Sequence, residues 1–95
     1  MTVYVIAQLK FTDEARYRTY QAAATKLFME KGIRVLAADE APVVLEGEWS
    51  GDKVVVMAFD DEAAARAFLE GPDYQAISED RRAGARSTAI MIKGF

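Results

Sequence analysis

Two short segments carry the side chains best suited to chemistry. The first is Leu45-Glu46-Gly47-Glu48-Trp49. Glu46 follows an apolar run, where a carboxylate is costly unless it is paired. Gly47 permits backbone conformations that other residues resist. Trp49 offers a broad flat surface with one N–H donor. Glu46 is therefore a candidate general base or substrate anchor, with Trp49 as a wall. The same residues also suit a structural role, as a loop carboxylate held by backbone N–H groups or an arginine beside a packing tryptophan. The second segment is Asp73-Tyr74-Gln75 followed by Arg81-Arg82. On a helix, Tyr74, Ile77 and Arg81 fall at i, i+3 and i+7 and share a face. A guanidinium supplies charge in a fixed fork and a phenol adds a neutral donor, so Tyr74 with Arg81 or Arg82 suits a carboxylate or enolate oxygen. The structural alternative pairs Arg81 with Glu46 or Asp73 and places Tyr74 in the core.

Composition narrows the chemistry further. The chain has 95 residues with no Cys and no His. Thiolate and disulfide chemistry, Cys-based metal sites, imidazole bases and Ser-His-Asp triads are thereby excluded. Haem would find only Tyr or Met as axial ligands. Asp60-Asp61-Glu62 lacks the spacing and glycine of a calcium loop, and Gly47, Gly51 and Gly71 form no phosphate-binding pattern. No metal and no cofactor is expected. Lys+Arg is 12 and Asp+Glu is 15, a net charge of −3, which argues against nucleic acid or an anionic membrane as partner. No run is long and apolar enough to span a bilayer and no signal-like start is present, so a cytoplasmic location is the expectation.

The elements that must position these residues follow from periodicity. Residues 2–11 alternate as a strand, Val3, Val5, Ala7, Leu9 and Phe11 against Tyr4, Ile6, Gln8 and Lys10. Thr12 or Asp13 caps a helix whose apolar stripe is Tyr17, Tyr20, Ala24, Leu27 and Phe28, ending at Gly32. Tyr17 and Tyr20 belong to the helix–sheet core, with hydroxyls reaching its edge where Tyr20 is also a candidate ligand contact. Ile33 to Ala38 reads as a strand, interrupted near Pro42 and resumed over 43–46. Lys53 to Phe59 is the most strand-like segment, apolar on both faces. Lys10 and Lys53 read as solvated strand ends, and Met29, Met57 and Met91 as gap-fillers. Asp60-Asp61-Glu62 opens a second helix that stops at Gly71-Pro72. Asp73 is expected to cap a third, from Tyr74 to about Gly84. Arg86 to Lys93 is the last strand.

The order is βαββαβ with an extra helix in the second crossover, the split-βαβ pattern. The predicted class is α+β, a ferredoxin-like single domain over 1–95 with an antiparallel sheet and its helices on one face. The opposite face would carry Val, Met and Ile side chains, too much apolar surface to stay wet. A homodimer closed by two sheets packing face to face is the expectation, with ordinary strand propensity as the plainer account of those residues.

The start Val3-Tyr4-Val5-Ile6-Ala7-Gln8, the helix with Tyr17 and Tyr20, the Glu46-Gly47-x-Trp49 turn, and Ala64-Ala65-Arg66-Ala67-Phe68 running to Asp73-Tyr74-Gln75-Ala76-Ile77 and Arg81-Arg82 together resemble the domain-of-unknown-function 1330 family of the dimeric α/β-barrel superfamily. The resemblance covers nearly the whole chain. It implies a ferredoxin-like fold and a face-to-face dimer, and no particular reaction. Two functional classes stand beside each other. One is a small-molecule-binding protein or cofactor-free enzyme for an activated, enolisable or phenolic substrate. Its pocket would lie between sheet and helices, with Glu46 as base, Arg81 or Arg82 with Tyr74 as oxyanion partner, and Trp49 with Phe59 as wall. Without histidine, Glu46 would need a raised pKa to work near neutrality. The other is a non-catalytic dimerising or oligomer-building domain with a structural Glu–Arg motif, its edge controlled around Pro42.

Overall fold

The computed structural model describes all 95 residues, Met1–Phe95. In chain order the elements are β1 (Val3–Phe11), α1 (Glu14–Lys31), β2 (Arg34–Asp39), β3 (Lys53–Phe59), α2 (Glu62–Leu69), α3 (Pro72–Gly84) and β4 (Ala85–Lys93). One antiparallel sheet results, in the order β2-β3-β1-β4. This is the ferredoxin-like arrangement that the element order predicts.

Local chemistry sets the helix ends. Asp13 caps α1 by accepting from the Arg16 N–H at 3.2 Å, and Asp61 caps α2 by accepting from the Ala64 N–H at 2.8 Å. Both satisfy donors that a helix start leaves free. Gly32 ends α1 at φ +66°, a left-handed conformation that glycine adopts without a Cβ clash. The start of α3 differs from expectation. Gly71 is the flanking residue and Pro72 the first helical one, because proline's fixed φ and missing N–H suit that position. Asp73 lies inside the first turn and pairs with Lys31 across to α1 at 3.2 Å.

The second strand is also shorter than the apolar pattern suggests. It ends at Asp39, and 40–52 runs as irregular chain, so Val43-Val44-Leu45 does not rejoin the sheet. Leu36 is unpaired at a bulge between Val35 and Ala37, which turns the edge strand by one residue.

Register fixes the two sheet faces. Val5 pairs with Met57 and Met91, Ala7 with Val55 and Ala89, and Leu9 with Lys53 and Ser87. Paired residues share a face, and this face meets the helices. One packed cluster joins Leu9 and Ala85 to Tyr17, Tyr20, Ala24, Leu27 and Tyr74. A second joins Val3, Val5, Met57 and Phe59 to Ala65 of α2. Only 16 of 95 residues are buried, so the layer between sheet and helices is not packed solid. The other face presents Tyr4, Ile6, Val54, Val56, Ile90 and Ile92, with Ile90 53% and Ile92 43% exposed. No helix is long and apolar enough to cross a membrane.

Candidate functional site

The unfilled space is a cavity of about 680 Å³ between the sheet and the helices. Its floor is the helix-side face of the sheet. The central row of that floor runs Ala38, Val55, Ala7, Ala89 across all four strands, and Ala24 of α1 also lines the space. Four alanines stand where larger side chains would fill the layer. Apolar walls come from Phe28, Leu69, Met57 and Met91. At that size it falls within the usual range for small-molecule pockets, roughly 300–1,000 Å³.

A few polar groups converge on the apolar space. Tyr20 and Tyr74 line it and share a hydrogen bond between their hydroxyls at 2.8 Å. Helical spacing delivers both: Tyr20 lies on the core stripe of α1, and Tyr74 opens α3 against it. Tyr74 is held by aromatic neighbours, stacked on Phe28 and tilted against Phe68 with a centroid separation of 5.4 Å. Burial pushes the Tyr20 hydroxyl well above the usual phenol range, with the neighbouring Tyr74 adding to it. Burial likewise pushes Tyr17 up to about 12, and Glu40 adds to that.

Lys53, expected from the sequence to be a solvated strand end, is instead buried against the cavity. Its side chain is 7% exposed and lines the cavity. The Nζ atom lies 5.2 Å from the centre of the Tyr17 ring, a cation–π distance. It also lies 3.7 Å from Glu40 Oε2. Glu40 in turn accepts two hydrogen bonds from Arg18, at 2.6 and 2.8 Å. Arg18 holds the Glu40 carboxyl below its ordinary range, with the Lys53 charge adding to this. Burial lowers the Lys53 amine, and Glu40 opposes the shift. The inward direction of Lys53 follows from period two: it has the parity of Val55, Met57 and Phe59.

Arg81 is the remaining cation of interest. It lines the cavity from α3. Its side chain forms no hydrogen bond and no ion pair, and its Nε–H is shut off from solvent without an acceptor. Its charge bears on Tyr17 and Tyr20, pulling both phenols down against burial.

The structure therefore brings together Tyr20, Tyr74 and Arg81 of the residues singled out from the sequence. The others lie elsewhere. Glu46 is exposed in the 40–52 loop, forms no ion pair and does not line the cavity. The Glu46–Arg81 contact is not formed. Trp49 is half-buried against Gly51 and does not line the cavity. Phe59 is buried in the second cluster, 6.1 Å from Phe68. Arg82 points away and donates to the Ser78 hydroxyl at 2.6 Å.

Comparison with known proteins places the chain in a family and its fold among solved structures. A family model described as a domain of unknown function (DUF1330) matches residues 2–95. No curated protein matches the chain. Among solved structures, a protein of unknown function from Rhodopseudomonas palustris is similar with TM-score 0.80 and 17% identity, over 99% of this chain and 82% of that one. A dimeric ferredoxin-like protein of unknown function from Thermobifida fusca matches with TM-score 0.70 and 18% identity, over 99% and 92%. SnoaB, a cofactor-independent oxygenase from Streptomyces nogalater, matches with TM-score 0.68 and 16% identity, over 99% and 93%. At these identities the likeness is one of fold.

Proposed function

Because the chain belongs to the DUF1330 family, whose description assigns no activity, we infer its function from its own cavity: it is a small-molecule-binding protein that holds an organic ligand between sheet and helices. The observation that carries this reading is the 680 Å³ space itself. It has mostly apolar walls and a small set of convergent polar groups, the general form of a ligand site. Tyr20, Tyr74 and Arg81 are the ligand contacts foreseen in the sequence that this reading retains, and Lys53 joins them. The binding unit in this reading is a homodimer closed through the outer sheet face, where Ile6, Val54, Val56, Ile90 and Ile92 form a continuous apolar surface. The dimeric state of the similar Thermobifida fusca protein supports that assembly. A cofactor-free reaction, such as the oxygenase of similar fold suggests, would draw on the same groups: a dry wall, with Arg81 and the phenols as oxyanion partner. The present proposal is of binding.

The test is uptake of N-phenyl-1-naphthylamine, a neutral aromatic probe whose fluorescence rises in apolar surroundings. The native protein should take it up saturably. Ala7→Phe, which puts a ring into the middle of the cavity floor, should abolish uptake while circular dichroism stays native. Ala89→Leu provides a smaller block should Ala7→Phe fail to fold. Uptake undiminished in a folded blocking variant would place the probe elsewhere and remove the proposal.

A further inference from the structure

The charges lining the cavity are not equally spoken for. Lys53 faces Glu40 at 3.7 Å. Arg66 is held between Glu62 at 2.8 Å and Glu70 at 2.9 Å. Arg81 alone has no carboxylate and no hydrogen-bond acceptor, although its Nε–H is buried. A buried donor without a partner forfeits its hydration and gains nothing in exchange, and for a charged group the loss is larger. Native structures keep few such groups, and those they keep call for an explanation. The phenol pair has a related surplus. Two hydroxyls carry two O–H donors, and their mutual bond consumes one. The second O–H has no acceptor within the protein, and both hydroxyls belong to residues lining the same cavity. Tyr74 and Arg81 are seven residues apart on α3, two turns along one face.

We propose that the ligand is an organic monoanion: one carboxylate on a largely apolar frame, with the carboxylate seated on Arg81 at the side of the cavity where Tyr20 and Tyr74 stand. The inference rests on the cavity being the ligand site and deepens that reading by naming the ligand's chemistry. Chemistry favours a carboxylate because a guanidinium offers donors only and the phenol pair has one O–H left to donate, and a carboxylate accepts from both. Charge favours a single anionic group because the cavity holds one uncompensated cation. A second carboxylate would find no unpaired cation: it would sit on apolar or neutral polar lining, or displace a carboxylate from Lys53 or Arg66. The frame is apolar because most of the remaining lining is aliphatic, methionine or aromatic, with Gln21, Thr25, Gln75 and Ser87 as its neutral polar members.

Three probes of the same two-ring frame test this by calorimetry or by competition with N-phenyl-1-naphthylamine: 2-naphthoate, its neutral amide 2-naphthamide, and naphthalene-2,6-dicarboxylate. The native protein should bind 2-naphthoate at least about tenfold more tightly than either of the others, the scale of one charge-assisted hydrogen bond. Arg81→Gln should abolish the preference, weakening the naphthoate by at least about tenfold and the amide far less. Arg81→Lys should restore part of the preference. Equal binding of naphthoate and naphthamide to the native protein would overturn the anion assignment while leaving the cavity as the ligand site. Tighter binding of the dicarboxylate would overturn the single-charge argument. If none of the three binds while the neutral probe is still taken up, this proposal fails and the cavity reading stands; if the neutral probe is not taken up either, both fail.

Discussion

Three phenols meet around the cavity, and their ionisation is where a single residue's environment becomes measurable. Tyr17 has an ordinary pKa of 10.0, and in the fold burial and Glu40 raise it to about 12. The folded state therefore favours the neutral phenol. Below pH 10 the phenol is neutral in both states, and the contribution of Tyr17 is complete. As pH rises from about 10 to about 12 the unfolded chain ionises first, so the contribution is lost across that window. Urea denaturation should show the stability advantage of the native protein over Tyr17→Phe shrinking through this range. An advantage that stays constant would contradict the shift. Lys53 illustrates what was legible at this scale and what was not. Its inward parity is written in Lys53-Val-Val55-Val-Met57, but a lysine at a strand start ordinarily reaches water. What keeps it inside is Glu40, thirteen positions earlier and beyond a proline-bearing loop, itself fixed by Arg18. Tyr20, Tyr74 and Arg81 could be found because helical spacing puts them on predictable faces. Glu46 could not be placed, because nothing in Leu45-Glu46-Gly47 says whether the chain around it pairs with a neighbour.

Elements meet most tightly where α3 ends against the start of α1. The Gly84 carbonyl accepts from the N–H groups of Thr12 and Asp13 at 2.9 and 3.1 Å. A Cβ on Gly84 would run into the Tyr17 backbone nitrogen and lie 2.9 Å from the Asp13 carbonyl oxygen. Neither obstacle can rotate away, since both are backbone. Gly84→Ala should therefore cost about 1–3 kcal/mol of stability, the range for overpacking, read as a lowered urea midpoint. A neutral result would show that the two helices can separate cheaply. The terminator Gly32 and the acidic helix starts were readable in the sequence, to within Thr12 or Asp13 for the first and Asp60-Asp61-Glu62 for the second, since each acts on its immediate neighbours. The end of β2 was not. Val43-Val44-Leu45 has strand composition, yet Pro42 and the bulge at Leu36 break the pairing edge before it. Strand propensity reports how well side chains suit a sheet, and it does not supply the partner.

The whole molecule is flat, 31 × 31 × 17 Å between Cα extremes. The thin dimension holds two layers, one sheet and one set of helices, so the outer sheet face has no layer of its own chain above it. Both this architecture and the apolar character of the bare face follow from strand order and alternation, which is why the fold was readable as a whole. The dimer proposed from it predicts that the native protein sediments with twice the chain mass. Ile90→Asp, at a side chain already 53% exposed in the single chain, should halve that mass without altering the circular dichroism. A native protein that sediments as a single chain would remove the dimer.

The alanine row across the sheet also bears on how such a protein can change over time. Ala38, Ala7 and Ala89, with Ala24 opposite, are near the small end of the side-chain scale, and almost every single substitution there subtracts room. The lodging these four provide is close to the largest this backbone permits, so relatives that keep the backbone and alter this row should diverge toward narrower guests. Selectivity by size can be gained there in single steps, whereas a taste for bulkier guests would require the helices to move.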